Sequence, residues 1–198
     1  MTYTLVADGT SNAVLVPILT WSLKSHGVTP IFPQVADRYR IPRPPSRETY
    51  IQAVLDLYPC DVLFIHRDAE RQTLEERRTE IAAALQGLAV RHIPVVPVRM
   101  TEAWLLADEA AIRSAAGNPN GREELNLPTL RRLEDVADPK QVLYAALRSA
   151  CGLNQRRRAA LAVQERVHRI SNYITDYSSL RVLQSFRVLQ QDISTSLV

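Results

Sequence analysis

Four acidic side chains stand where apolar runs give way to polar sequence. Asp8 follows Tyr3-Thr4-Leu5-Val6-Ala7, Asp68 and Glu70 follow Val62-Leu63-Phe64-Ile65, and Glu102 follows Ile93-Pro94-Val95-Val96-Pro97-Val98. Carboxylates that converge on one point are the hard oxygen donors a divalent cation takes. Side chains two apart share a strand face, so either His66 with Asp68 or Asp68 with Glu70 can converge. The competing reading of Asp68 and Glu70 is that they cap and charge the first turn of the next helix, where the dipole favours acids. Glu102 falls in the first turn of a helix that Thr101 is placed to cap. Asp108 lies on a different face of that helix from Glu102 and reads as the N-cap of another helix over 109–115.

Bringing these acids together requires strands whose carboxyl ends share one edge. A first strand over 3–7 runs through the turn Asp8-Gly9-Thr10-Ser11-Asn12 into a helix over 13–23, with Ser11 or Asn12 as N-cap and Pro17 near its start. Gly27 ends that helix, and residues 28–32 read as a second short strand. Residues 34–46 mix Pro42, Pro44 and Pro45 with Arg38, Arg40 and Arg43, which predicts an exposed basic loop. Ser46 opens a helix reaching about residue 58, and residues 61–66 form the third strand. Leu74, Ile81, Leu85 and Leu88 share a helical face, with Glu75, Glu76, Arg77 and Arg78 turned to solvent. The prolines of the fourth strand, over 93–98, place it at a sheet edge or at the start of a ladder.

Alternation of strand and helix predicts an α/β three-layer sandwich, Rossmann-like, with a mainly parallel sheet of about four strands. Such sheets hold ligands outside the carboxyl ends of their strands, which is where Asp8, Asp68 and Glu102 fall. Trp104 beside them suits core packing or, at a sheet edge, base stacking. Beyond residue 115 the pattern turns helical. Asp138-Pro139-Lys140 is a strong helix start, Asn154 caps a helix reaching residue 170, another helix covers 180–193, and the tail from 194 reads as frayed. An α/β core over 1–115 with a helical extension over 116–198 packed on it, in a single structural domain, is the expected organisation.

A hydrophobic fraction of 46% and a charged fraction of 23% are those of an ordinary globular chain. No apolar stretch approaches the roughly 20 residues of a membrane-spanning helix, and no charged leader precedes an apolar segment, so no membrane association and a cytoplasmic location are expected. Cys60 and Cys151 lie far apart with no C-x-x-C spacing, which points to neither a disulfide framework nor a zinc site. Among the cations only Lys24 and Lys140 are lysines; the rest are arginines, which suit bidentate contact with phosphate or carboxylate. That tilts the chain toward a polyanionic partner. There is no Gly-rich Walker loop, so ATP hydrolysis by this chain alone is not expected.

The order Asp8-Gly9 after the first strand, then His66-Arg67-Asp68 after a later one, resembles the Toprim domain of primases, topoisomerases and OLD-type nucleases. The strings Val98-Arg99-Met100-Thr101-Glu102-Ala103-Trp104-Leu105-Leu106-Ala107-Asp108, Asp138-Pro139-Lys140 and Tyr177-Ser178-Ser179-Leu180-Arg181 are similar to a small bacterial family of Toprim-like proteins of unknown function. This resemblance runs over nearly the whole chain. The Toprim pattern has Glu-Gly and Asp-x-Asp at the two places; here a shorter Asp8 and an imidazole, His66, depart from it. His66 suits Mg²⁺ poorly and Mn²⁺ better, and the register Asp68-Ala69-Glu70 restores two acids.

The resemblance implies a nuclease that hydrolyses phosphodiesters in DNA or RNA with Mg²⁺ or Mn²⁺. It makes Asp8, Asp68 and Glu102 catalytic and Asp8, Asp68 and Glu70 metal ligands, with Glu102 in place of Glu70 as a variant, and sets Arg67 and Arg99 on substrate phosphate. An ABC- or AAA-type ATPase partner, in phage defence or DNA repair, goes with that reading. The alternative, which Asp8 and His66 favour, is a catalytically degenerate Toprim domain acting as a binding or regulatory subunit. A flavodoxin-like binder that cradles phosphate in the 8–12 turn is a third. The oligomeric state stays open between monomer and homo-oligomer.

Overall fold

Apolar residues of high strand preference form a four-stranded sheet in the computed structural model, which describes residues 1–7, 12–41 and 46–197. The expectations placed on Asp8, Gly9, Thr10 and Ser11 and on Pro42, Arg43, Pro44 and Pro45 lie outside the described residues. Strands β1 (Thr2–Ala7), β2 (Phe32–Val35), β3 (Val62–His66) and β4 (His92–Val95) pair only in parallel, in the order β2-β1-β3-β4. Helices α1 (Asn12–Ser25), α2 (Arg47–Leu57) and α3 (Leu74–Ala84) connect them. The result is an α/β three-layer sandwich, with the strand order reversing between β1 and β3.

β3 is buried along its whole length and divides the core by alternation. Val62 and Phe64 face one side, where Tyr3, Leu5, Ile93 and α1 residues such as Leu15 and Ile18 pack. Leu63 and Ile65 face the other, against Ile51 and Val54 of α2 and Ile81 of α3. The first side also receives the C-terminal half of the chain: α4 (Glu102–Leu105), α5 (Glu109–Ala116), α6 (Pro139–Ala150), α7 (Gln155–Ala159), α8 (Val163–Tyr173) and α9 (Gln184–Ser196). Short 3₁₀ segments at Leu130–Asp135 and Ser178–Val182 join them. Trp104 of α4 is a core residue: its ring meets Phe186 of α9 edge-on at 5.4 Å, and its Nε1 donates to Ser185 at 3.1 Å. Among the described residues no helix is long and apolar enough to cross a membrane.

Several boundaries differ from expectation for local reasons. The second strand is Phe32–Val35 rather than 28–32, because Val28 N–H returns to Leu23 at the end of α1 and the ladder begins where Phe32 N–H donates to Met1. Pro17 lies inside α1, beyond its first turn. The segment expected as one helix over 155–170 is two, α7 burying nothing while α8 buries Val163, Val167 and Ile170. The last helix starts at Gln184 and continues through Ser196, past the expected fraying point. Asp108 and Asp138 cap α5 and α6 as expected, accepting from Ala111 N–H and Gln141 N–H. Arg77 corrects the solvated-face reading of α3. It is only 5% exposed and is held by Glu80 at 2.6 Å and Glu70 at 3.7 Å.

Candidate functional site

Parallel pairing between β3 and β4 continues past both strands and sets the site. Arg67 N–H donates to Val95, Ala69 N–H to Pro97 and Glu70 N–H to Arg99. Because the carbonyls of Arg91, Val95 and Pro97 face β3, Pro94 turns its nitrogen to the open edge, where a missing donor costs nothing. This zipped extension lays the turn Arg99-Met100-Thr101 against Asp68.

There the side chains lock together. Asp68 Oδ1 accepts Thr101 N–H at 2.8 Å and contacts the Thr101 hydroxyl and His66 Nε2, both at 3.1 Å. Thr101 Oγ1 also lies 2.9 Å from His66 Nε2. The proton assignment that satisfies every partner has the threonine hydroxyl donating to Asp68 and the imidazole donating from Nε2. That leaves His66 Nδ1 buried with no partner among the described residues. His66 and Thr101 are each 1% exposed, whereas Asp68 reaches solvent. Among the described residues nothing bonds its Oδ2. Thr101 was expected as an N-cap of the following helix; its hydroxyl instead serves Asp68 and His66, and its backbone is already helical.

Glu102 follows directly, half-buried. Burial pushes its carboxyl above the usual glutamate range, and the Asp68 charge adds to the rise against the opposing pull of its own N–H, Lys140 and His66. Two carboxyl groups thus share the carboxyl edge of β3 and β4. In the β1–β3 register Ala7 pairs with His66, so β1 ends beside them. Asp8, next in sequence, lies outside the described residues. Among the described residues no three His, Cys, Asp or Glu side chains gather as a set that could hold one metal ion.

The other expected residues lie apart from this pair. Glu70, at φ +55°, is exposed and leans toward Arg77. Arg67 points to the opposite sheet face, among Ile51, Ile65 and Ile81, and is paired with Glu80. Arg99, at φ +63°, reaches back to the Glu70 carbonyl at 3.3 Å and lines a groove of about 570 Å³ with Arg71, Arg77 and Met100. Arg77 Nε is buried there without a partner among the described residues. Thr101 and Glu102 also line a second cavity of about 300 Å³, to which α6 contributes Lys140 and Tyr144 and α8 contributes Gln164 and His168.

Thr101, Arg71, Arg77, Lys140 and His168 are therefore site residues that the sequence reading did not single out. Thr101 could have been suspected from its place directly before Glu102; the α6 and α8 residues carry no such signal, since each suits a solvated helix face. The chain matches no family model, no curated protein and no solved structure.

Proposed function

We propose that the carboxyl edge of β1, β3 and β4 is a Toprim-like site for Mg²⁺- or Mn²⁺-assisted hydrolysis of phosphodiesters in DNA or RNA. The observation that carries this reading is the immobilisation of Asp68: one oxygen is held by Thr101 and His66, the other has no partner among the described residues, and the charge of the carboxylate is felt at Glu102. The donor chemistry fits a hard divalent cation, because two carboxyl groups stand at a partly solvated sheet edge and the mutual repulsion of Asp68 and Glu102 is what a cation relieves. Asp68 and Asp8 would hold the ion, with Glu102 as the adjoining carboxyl. Once bound, it supplies polarisation of a phosphate oxygen and a water acidified toward hydroxide.

The remaining work falls to the chain's own side chains. Thr101 and His66 keep Asp68 in one rotamer, as groups behind a metal ligand do. Glu102, in the adjoining turn, is the carboxyl placed to carry the proton from the attacking water to the leaving oxygen as the P–O bond breaks and the water oxygen joins phosphorus. Arg71, Arg77 and Arg99 line a cationic groove alongside, suited to a phosphate backbone. Glu70 acts in that groove through Arg77, and Arg67 serves the fold through Glu80. With no Walker loop in the chain, an ABC- or AAA-type ATPase would be a separate cytoplasmic partner, in phage defence or DNA repair.

A binding-only role is the second reading, and one observation favours it: Asp68 Oδ1 already takes three contacts, and His66 stands where the Toprim pattern has an acid. A cleavage assay on single- and double-stranded DNA and RNA with Mg²⁺ and Mn²⁺ separates the two. Cutting that disappears in Asp68→Asn is the outcome expected of the nuclease. Substrate bound equally by both proteins and left intact assigns the binding role.

A further inference from the structure

The cavity beyond Glu102 is not used by the hydrolytic site described above, yet it opens on that site. Its volume, about 300 Å³, is at the small end of the range of ligand pockets. Leu105 and Val167 give it apolar wall, and Glu102, Lys140, Tyr144 and His168 bring polar groups from three helices. The lining carries groups that suit a ligand. The Lys140 ammonium stands 5.8 Å over the Tyr144 ring, so a cation and an aromatic face are presented side by side. His168 joins the lining from α8, opposite the residues that α4 and α6 contribute.

A cation for phosphate, a ring and apolar wall for a base or sugar, and imidazole and amide groups for base edges together match one nucleotide. They do not match a duplex, whose bases are stacked on both faces and paired at their edges; a cavity of this size admits a base only when it is unpaired. Thr101 and Glu102 line this cavity and Arg99 and Met100, next to them in the chain, line the arginine groove, so the two lie on adjoining residues. We infer that the α4–α6–α8 cavity receives a single unpaired nucleotide, making single-stranded ends or extruded nucleotides the substrate class of the neighbouring site. The inference rests on the nuclease reading for its substrate and on Lys140, Tyr144 and His168 for its geometry.

The test is an NMR titration of the full chain, in EDTA, with deoxyadenosine 5′-monophosphate, a short single-stranded oligonucleotide and the blunt duplex of the same sequence. The His168 imidazole and Gln164 amide resonances are expected to shift with the first two and not with the duplex. Lys140→Ala and Tyr144→Ala are expected to weaken binding about tenfold or more each, the loss of one charge and of one stacking face. Shifts confined to Arg71 and Arg99, equal response to the duplex, or unchanged affinity in both variants would overturn it. Shifts with the oligonucleotide but not the mononucleotide support the pocket and place the nucleotide within a strand. Asp68→Asn separates the two proposals. If it abolishes cleavage while the cavity resonances never move, the pocket inference fails alone; if the cavity binds nucleotide and no metal supports cleavage, the nuclease reading fails alone.

Discussion

Thr101→Val removes one hydroxyl and replaces it with a methyl group, so the change isolates the lock on Asp68. The wild-type hydroxyl contacts Asp68 Oδ1 at 3.1 Å and His66 Nε2 at 2.9 Å, at a position 1% exposed. Valine keeps the backbone bond from residue 101 to Asp68 and the direct contact of His66 with Asp68 at 3.1 Å, so only the hydroxyl's share is lost. A bond to a charged group contributes about 1.5–3 kcal/mol, and partial exposure of Asp68 and the surviving contacts keep the net loss near the low end, about 1.5–2 kcal/mol. For a domain of this size that is a fall in Tm of about 3–8 °C. Thr101→Ser keeps the hydroxyl and gives up one buried methyl, costing about 1 kcal/mol. Differential scanning calorimetry of the three proteins reads the difference. If Thr101→Val melts with the wild type, or Thr101→Ser falls as far as Thr101→Val, the hydroxyl does not hold Asp68 and the lock is wrongly drawn.

Glu102 gives a pH signature. Its folded pKa lies above the ordinary 4.5, so the folded state binds the proton more tightly than the unfolded chain; this contribution is complete below 4.5 and is lost as pH rises through the raised folded value. Urea midpoints are expected to fall over that window in the wild type and to stay flatter in Glu102→Gln; equal slopes would remove Glu102 from the account. Asp68→Asn takes away one cause of the rise, so the Glu102 carboxyl, followed by carbon-detected NMR, is expected to titrate lower in that variant and not at an unchanged pH. Gly152 sits at φ +63°, and a Cβ there would meet Asn118 Nδ2, the donor to the Ala150 carbonyl, at 2.7 Å. Gly152→Ala is therefore expected to cost about 1–3 kcal/mol in urea denaturation, and a neutral result would show that the 150–152 turn relaxes freely.

The parallel four-stranded sheet and the common edge of Asp68 and Glu102 were legible because buried parallel strands are short apolar runs that stop abruptly and the crossover rule makes their carboxyl ends coincide; the order β2-β1-β3-β4 was not. The lock on Asp68 was not legible. Thr101 meets partners 33 and 35 residues away, and a threonine before a helix has an adequate local explanation as a cap. Arg77 was misplaced for a related reason: within its own helix it belongs to a charged run, and its pairing with both Glu80 and Glu70, the latter arriving from the β3 side, exists only in the folded chain. The α6–α8 cavity depends on the docking of two helices whose polar residues, Lys140 and His168, lie 28 positions apart on faces that periodicity assigns to solvent. Local pattern resolves which residues enter a layer; which polar groups the layers then bring together is set by tertiary packing.

Anomalous diffraction from crystals of the full chain soaked in Mn²⁺ tests the central claim most directly, because it locates the ion independently of turnover. A peak bonded to Asp68 Oδ2 and adjoining Glu102, and lost in Asp68→Asn crystals, is the predicted result. Fully soaked crystals with no peak at that edge, or with one that persists in Asp68→Asn, would contradict it.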